Sequence, residues 1–335
     1  MKILLLGRLD GWMGAHMQQY ADGFRQAGHT LDLVDYHGYC QKRFLWQSML
    51  GTKKQAQIEE RTAQLSRQLN TQSYDAILFT GANLKFDFAQ LRALTSAKLI
   101  YVDMDGPAAS YFADDLTWIH ALDLLATVSK ASQRTLNGAG FDQVVYLPHG
   151  VDTDYYSPCS LTQTQQQRFS AQVAFVGRTS KRRMAYLEPV IDQGLVVWGK
   201  RWSQKPNPAF QSCVREAENV IGEEVNLLYN ASNTVLNILQ RDAFRDQNTI
   251  LSLQVFAVPA SQSCLITEWV EELEDAFDVG QELLAFKSAD ELKALVGQYA
   301  QDTTAAVRIG ENGRRRCLAE HTHCHRAKQL LGYFQ

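Results

Sequence analysis

Apolar and polar positions along the chain alternate in a regular rhythm. "KILLLG", residues 2–7, is a short apolar run closed by Gly7. A loop, "GRLDGWMG", leads into the amphipathic stretch "AHMQQYADGFRQAG" and then the strand-like "TLDLVDY". Strand, loop, helix and strand in that order open a doubly wound α/β domain. Residues 53–72 are polar and lack Pro and Gly, which predicts a helix. "YDAILFTG", "AKLIYVDMDGP", "LDLLATVS" and "QVVYLPHGVD" supply further strands, making about six before residue 152.

The rhythm breaks at "YYSPCSLTQTQQQRFSAQ", residues 155–172, rich in Ser, Thr and Gln, which reads as a linker. It then restarts. "VAFVG", "LVVWG", "ENVIG", "TVLNI" and "SCLITE" read as strands; "SKRRMAYLEPVIDQG", "EEVNLLYNAS" and "TILSLQVFAVPAS" read as helices. From residue 289 the pattern is mostly helical. The expectation is two Rossmann-like halves, 1–155 and 170–315, facing a central cleft, with chemistry just after the strands. Those places are Gly7 to Gly14, Gly81 to Lys85, Asp103 to Pro107, Gly177 to Arg183, Gly199 to Arg201, and Glu268.

Composition narrows the function. The 335 residues are 45% hydrophobic and 21% charged, enough for two cores. A net charge of −3 argues against a general nucleic-acid or anionic-membrane binder. No segment is apolar enough to span a bilayer, and the run after Lys2 is too short for a signal peptide. The six cysteines show no framework spacing, which fits free thiols in a reducing cytoplasm.

Against that mild negative charge, "FVGRTSKRRMAYLEPV", residues 175–190, packs Arg178, Lys181, Arg182 and Arg183 around a strand end. Cations at a helix N-terminus oppose its dipole, so the cluster calls for an anion. The alternative is a solvated basic turn.

Four stretches give the chain a family resemblance: "LLATVSKASQRTLNGAGFDQVVYLPHGVD", "VAFVGRTSKRR", "GEEVNLLYNASNTVLNI", and "ELLAFKSADELKALVGQY" followed by "GRRRCLAEHTHCHRA". In this order they resemble the CgeB-like (spore maturation protein B-like) branch of the group 1 glycosyltransferases, which have the GT-B fold. The resemblance implies transfer of a sugar from a nucleoside diphosphate sugar to a carbohydrate, protein or small-molecule acceptor hydroxyl. It implies no cofactor, no bound metal, a retained anomeric configuration, and a last helix, 316–335, packing back toward the first domain. Fixed donors then stabilise the leaving diphosphate. Arginine suits this, because its planar fork binds phosphate oxygens in pairs. Arg178 and Arg183 become the catalytic cations, with Arg182 the alternative partner. Gly177, Gly199, Lys200, Gly222 and Glu268 join them on the donor side, Glu268 having local capping or pairing as its alternative. Gln247, Asn248 and Thr249 precede an apolar helix whose free N–H groups suit phosphate, or they simply cap it.

One departure from the family pattern stands out. Where it has roughly "RxFEAxAxG", this chain reads "LQVFAVPASQS". Ala257 occupies the Glu position that would bind ribose hydroxyls, and Gln262 occupies the following Gly position. It motivates a rival function, a non-catalytic sugar-nucleotide or carbohydrate-binding relative; a nucleotide-sugar epimerase, which shares the fold, is a third.

In the first half, Asp105 fits the family's Asp shortly before Pro. It is a candidate for orienting or deprotonating an acceptor, or else it makes the Asp-Gly-Pro turn. Asp103 belongs to the opposite face of its strand. Asp10, Gly11, Gly14 and His16 form the acceptor-side loop; their spacing is not a dinucleotide fingerprint. His149 and Asp152 suit a structural turn. Cys317, His321, His323, Cys324 and His325 are ligand types, but one helix does not converge four of them.

Overall fold

The structure is a computed structural model, and it describes residues 1–9, 11–36, 52–80, 86–104, 116–200, 202, 208–216, 220–239 and 250–334. The described chain divides into two compact units. One holds the described residues of 1–148 with 250 and 323–334, the other those of 149–239 and 251–322.

The first unit is built on six parallel strands: β1 (Lys2–Gly7), β2 (Thr30–Asp35), β3 (Ala76–Thr80), β4 (Lys98–Asp103), β5 (Leu124–Thr127) and β6 (Val144–Tyr146). Their spatial order is β2-β1-β3-β4-β5-β6. β3 is buried at every position, and β1 and β4 at all but the first. Helices on both faces require such continuous apolar runs in a parallel sheet. Its helices are α1 (Gly11–Gln26), α2 (Thr52–Leu69), α3 (Phe88–Leu94) and α4 (Lys130–Gly138). Asp87 and Ser129 cap α3 and α4 by accepting from Gln90 N and Ser132 N.

The second unit repeats the plan with β7 (Ala171–Val176), β8 (Leu195–Trp198), β9 (Val214–Glu216), β10 (Ser232–Asn237), β11 (Cys264–Glu268) and β12 (Leu284–Phe286). All are parallel, in the order β12-β11-β10-β7-β8-β9. β7 and β10 are therefore neighbours from which the chain winds in opposite directions. That is a topological switch point, where ligands of open α/β sheets bind beyond the strands' carboxyl ends. The unit's helices are α5 (Gln163–Phe169), α6 (Lys181–Leu187), α7 (Glu223–Asn230), α8 (Leu253–Ala260), α9 (Leu273–Ala276), α10 (Ala289–Tyr299) and α11 (Thr303–Glu320). The final helix, α12 (His323–Gly332), belongs to the first unit and packs on α1.

Two sequence readings need correction. The Gln-rich break is not all linker: Gln163–Phe169 is helical, with a reciprocal capping box between Thr162 and Gln165. β9 lies at Val214–Glu216, and the described part of "ENVIG", Val220–Gly222, is not a strand. Gly222 instead has φ 66° and ψ −143°, a glycine conformation, at the N-cap of α7. Among the described residues, no helix is long and apolar enough to cross a membrane.

Candidate functional site

β7 ends at Val176, and the loop from Gly177 to Ser180 carries the chain into α6. Three neighbours tie this strand end down. Gly177 N donates to Trp198 O (2.9 Å), Trp202 Nε1 donates to Gly177 O (2.9 Å), and Gln254 Nε2 donates to Val176 O (3.2 Å). Gly199 has φ 141°, and a Cβ there would sit 2.2 Å from Gly177 O. Only glycine lets the β8 loop lie this close to the β7 loop. Farther along the same sheet edge, Asn237 Nδ2 donates to Thr267 Oγ1 (2.9 Å), joining β10 to β11.

Ser180 caps α6, accepting from Arg183 N at 3.1 Å. The helix then presents two adjacent arginines with different fates. Arg182 forms a bidentate ion pair with Glu268: Nη1 to Oε2 is 2.9 Å, and Nη2 bonds Oε1. Glu268 is 5% exposed. Arg182 Nη1 also donates to Leu239 O (3.1 Å), and its guanidinium lies 4.7 Å from the Tyr186 ring. Both Nη nitrogens of Arg182 thus already serve the Glu268 carboxylate, a local pairing. Arg183 is held by main-chain carbonyls instead. Its Nε donates to Ile238 O (2.9 Å) and its Nη1 to Arg178 O (3.0 Å), over the face of Phe175. Its Nη2 has no hydrogen-bond partner among the described residues. Burial and the charge of Arg182 bring its pKa down to about 10; Glu268 opposes that and Arg178 adds to it. It remains a cation at neutral pH. Arg178 and Lys200 are exposed. Thr179 Oγ1, in the same loop, is buried without a partner among the described residues.

The remaining sequence candidates divide. Asp10, Asp105, Gln247, Asn248 and Thr249 lie outside the described residues. Gly11 opens α1, and Gly14 packs its backbone on Leu9 O. His16 is buried in the first unit, its ring in edge contact with His323 at 5.5 Å. Burial brings its pKa down to about 4. Tyr20 and Arg326 are buried beside it, a cluster the sequence reading missed because its members come from α1 and α12. Asp103 is buried and accepts from Thr127 Oγ1 (3.2 Å). Asp152 makes a turn, accepting from Asp154 N and Tyr155 N. The Cys/His run separates: Cys317 Sγ faces Phe256 O, His321 Nε2 bonds Ala276 O (2.7 Å), and His323 sits in the first unit.

Ala257 is 1% exposed inside α8, within the apolar core. Gln262 has φ 63°, the left-handed conformation a glycine would favour. The backbone thus keeps that shape at an estimated cost of about 1 kcal/mol.

Comparison with known proteins bears on this geometry. Residues 179–332 match the "Glycosyl transferase-like" family. No curated protein sequence matches the chain. Solved structures match it end to end. Sucrose-phosphate synthase from Thermosynechococcus elongatus is 14% identical with a TM-score of 0.70, covering 100% of this chain and 98% of its own. The fold is GT-B. The catalytic domain of starch synthase IV from Arabidopsis thaliana, bound to ADP and acarbose, is 13% identical (TM-score 0.69; 99% and 98% covered). HepE from Anabaena, in complex with UDP and glucose, is 11% identical (TM-score 0.66; 100% and 99% covered). Matched domain and GT-B fold together are those of a glycosyltransferase.

Proposed function

We propose that this protein transfers a sugar from a nucleoside diphosphate sugar to an acceptor hydroxyl, with retention and without a bound metal, as a CgeB-like group 1 enzyme of the cytoplasm. The observation carrying this reading is Arg183: a partly buried cation, anchored by main-chain carbonyls at the switch point of the second sheet, with Nη2 uncommitted among the described residues. Such a donor is fixed before the reaction and loses little on meeting a phosphate. Arg178 adds a second cation five residues away. As the glycosidic bond breaks, the sugar passes to the acceptor oxygen and both bonding electrons go to the diphosphate. The two arginines stabilise that growing charge, and the leaving phosphate takes the acceptor proton. The scattered spacing of the six cysteines fits a reducing compartment.

Neighbours solved with UDP or ADP support a nucleoside diphosphate as the leaving group. The test supplies a panel of nucleotide sugars with mixed carbohydrate acceptors and measures released nucleoside diphosphate. Release that requires acceptor supports transfer. A second reading, a non-catalytic sugar-nucleotide binder, draws on Ala257, whose buried side chain offers ribose nothing. Nucleotide-sugar binding without release under any acceptor would favour it, and acceptor-independent release or epimerised product would favour the epimerase.

A further inference from the structure

Arg182 and Arg183 are consecutive, and so are the two residues they grip. Arg183 Nε holds Ile238 O, and Arg182 Nη1 holds Leu239 O. Glu268 closes the arrangement from the next strand, with Oε2 accepting both Arg182 Nη1 (2.9 Å) and Leu239 N (3.2 Å). One carboxylate therefore fixes the main chain just past β10 and the side chain of Arg182 together. This is more than a surface ion pair. Glu268 is 5% exposed, and the Arg182 side chain 26%. Fully solvated pairs contribute little, whereas a buried carboxylate left alone, or a cation left without it, is strongly unfavourable.

Electrostatics gives the pair a second task. Arg178, Arg182 and Arg183 crowd one another, and repulsion alone would drive Arg183 outward. Glu268 offsets one of the three charges at close range. We propose that Arg182 and Glu268 are positioning residues: they clamp the end of β10 so that Arg183 is held in the pose that receives the donor's diphosphate. The clamp rests on the diphosphate reading of Arg183 given above. It predicts that Glu268 matters to phosphate binding without touching phosphate.

A double-mutant cycle on the full chain tests it. Dissociation constants for pyrophosphate, UDP, ADP, GDP and dTDP are measured by calorimetry for the parent, Arg183→Ala, Glu268→Gln and the double variant, alongside melting temperatures. Arg183→Ala should weaken the best-binding probe about 10- to 100-fold. Glu268→Gln should weaken it about 10-fold, and the double variant should bind no worse than Arg183→Ala, since both changes remove one contact. Arg182→Lys keeps the charge without the fork, guards against a Glu268→Gln variant that does not fold, and should show the same coupling. If Glu268→Gln and Arg182→Lys lower only the melting temperature, or if their effects multiply with that of Arg183→Ala, the clamp is structural and the proposal falls while the diphosphate reading stands. If Arg183→Ala binds every probe as the parent does, or the parent binds none, both fall.

Discussion

Arg183 Nε donates to the carbonyl oxygen of Ile238 at 2.9 Å, so the cation is held by backbone just past β10, 55 residues further along the chain. A side chain anchored in this way has little freedom left to lose when it binds. Arg183→Ala should therefore reduce turnover of a nucleotide sugar about 10- to 100-fold, the loss of one charge-assisted hydrogen bond to phosphate. Arg183→Lys should recover only part, because lysine cannot bond Ile238 O and a phosphate in the same planar geometry. Steady-state kinetics beside thermal melting checks this: the rate should fall much further than stability.

Activity should survive EDTA. In the proposed mechanism fixed arginines meet the charge that develops on the diphosphate, so chelation should remove nothing from the reaction. Complete loss with EDTA, restored by manganese or zinc, would contradict that assignment.

Ala257→Glu places a carboxylate where the group 1 glycosyltransferases, which the sequence resembles, carry one for ribose. Here the Ala257 side chain points into packed core beside Phe256 and Val255. A carboxylate placed there is desolvated without a partner, a cost of about 2 kcal/mol or more. The expected outcome is a lower melting temperature and no gain in nucleotide affinity. Tighter binding would mean that the helix can turn that position outward.

His16 should make the first unit acid-sensitive. Its folded pKa, lowered to about 4 by burial, lies below the 6.5 of the unfolded chain. Between these values the unfolded state binds the proton and the folded state does not, so stability declines as pH falls from 6.5 toward 4 and then levels off. At pH 5 the loss should be about 2 kcal/mol relative to pH 7.5. Denaturant titrations at the two pH values should show a smaller difference for His16→Gln than for the parent.

Gly199→Ala should destabilise the second unit by about 3 kcal/mol, combining a backbone angle alanine avoids with a collision against Gly177 O. Urea unfolding would detect it. A neutral outcome would mean that the two loops separate readily.

The apolar rhythm revealed the alternating plan because fully buried parallel strands leave an unmistakable signature in "KILLLG" and "YDAILFTG". It misplaced β9, since Val214–Glu216 is only three residues long and "ENVIG" is the more apolar run. The basic cluster was legible as a cluster. Its division of labour was not: Arg182 and Arg183 are equivalent on paper, and what separates them is Glu268, 86 positions from Arg182. Gln262 likewise reads as a lost glycine, although the backbone there retains the left-handed turn.

Helix α12 has a consequence for how the protein is made. It packs on α1, and His323 sits against Gly23 so closely that a Cβ on that glycine would be 2.4 Å away. On the ribosome, α1 emerges some three hundred residues before the surface it needs. The second unit can fold during synthesis while the first waits with the His16, Tyr20 and Gly23 face of α1 uncovered. Translation should then release the first unit as the later of the two to mature, and a truncation ending near residue 148 should give an aggregating fragment.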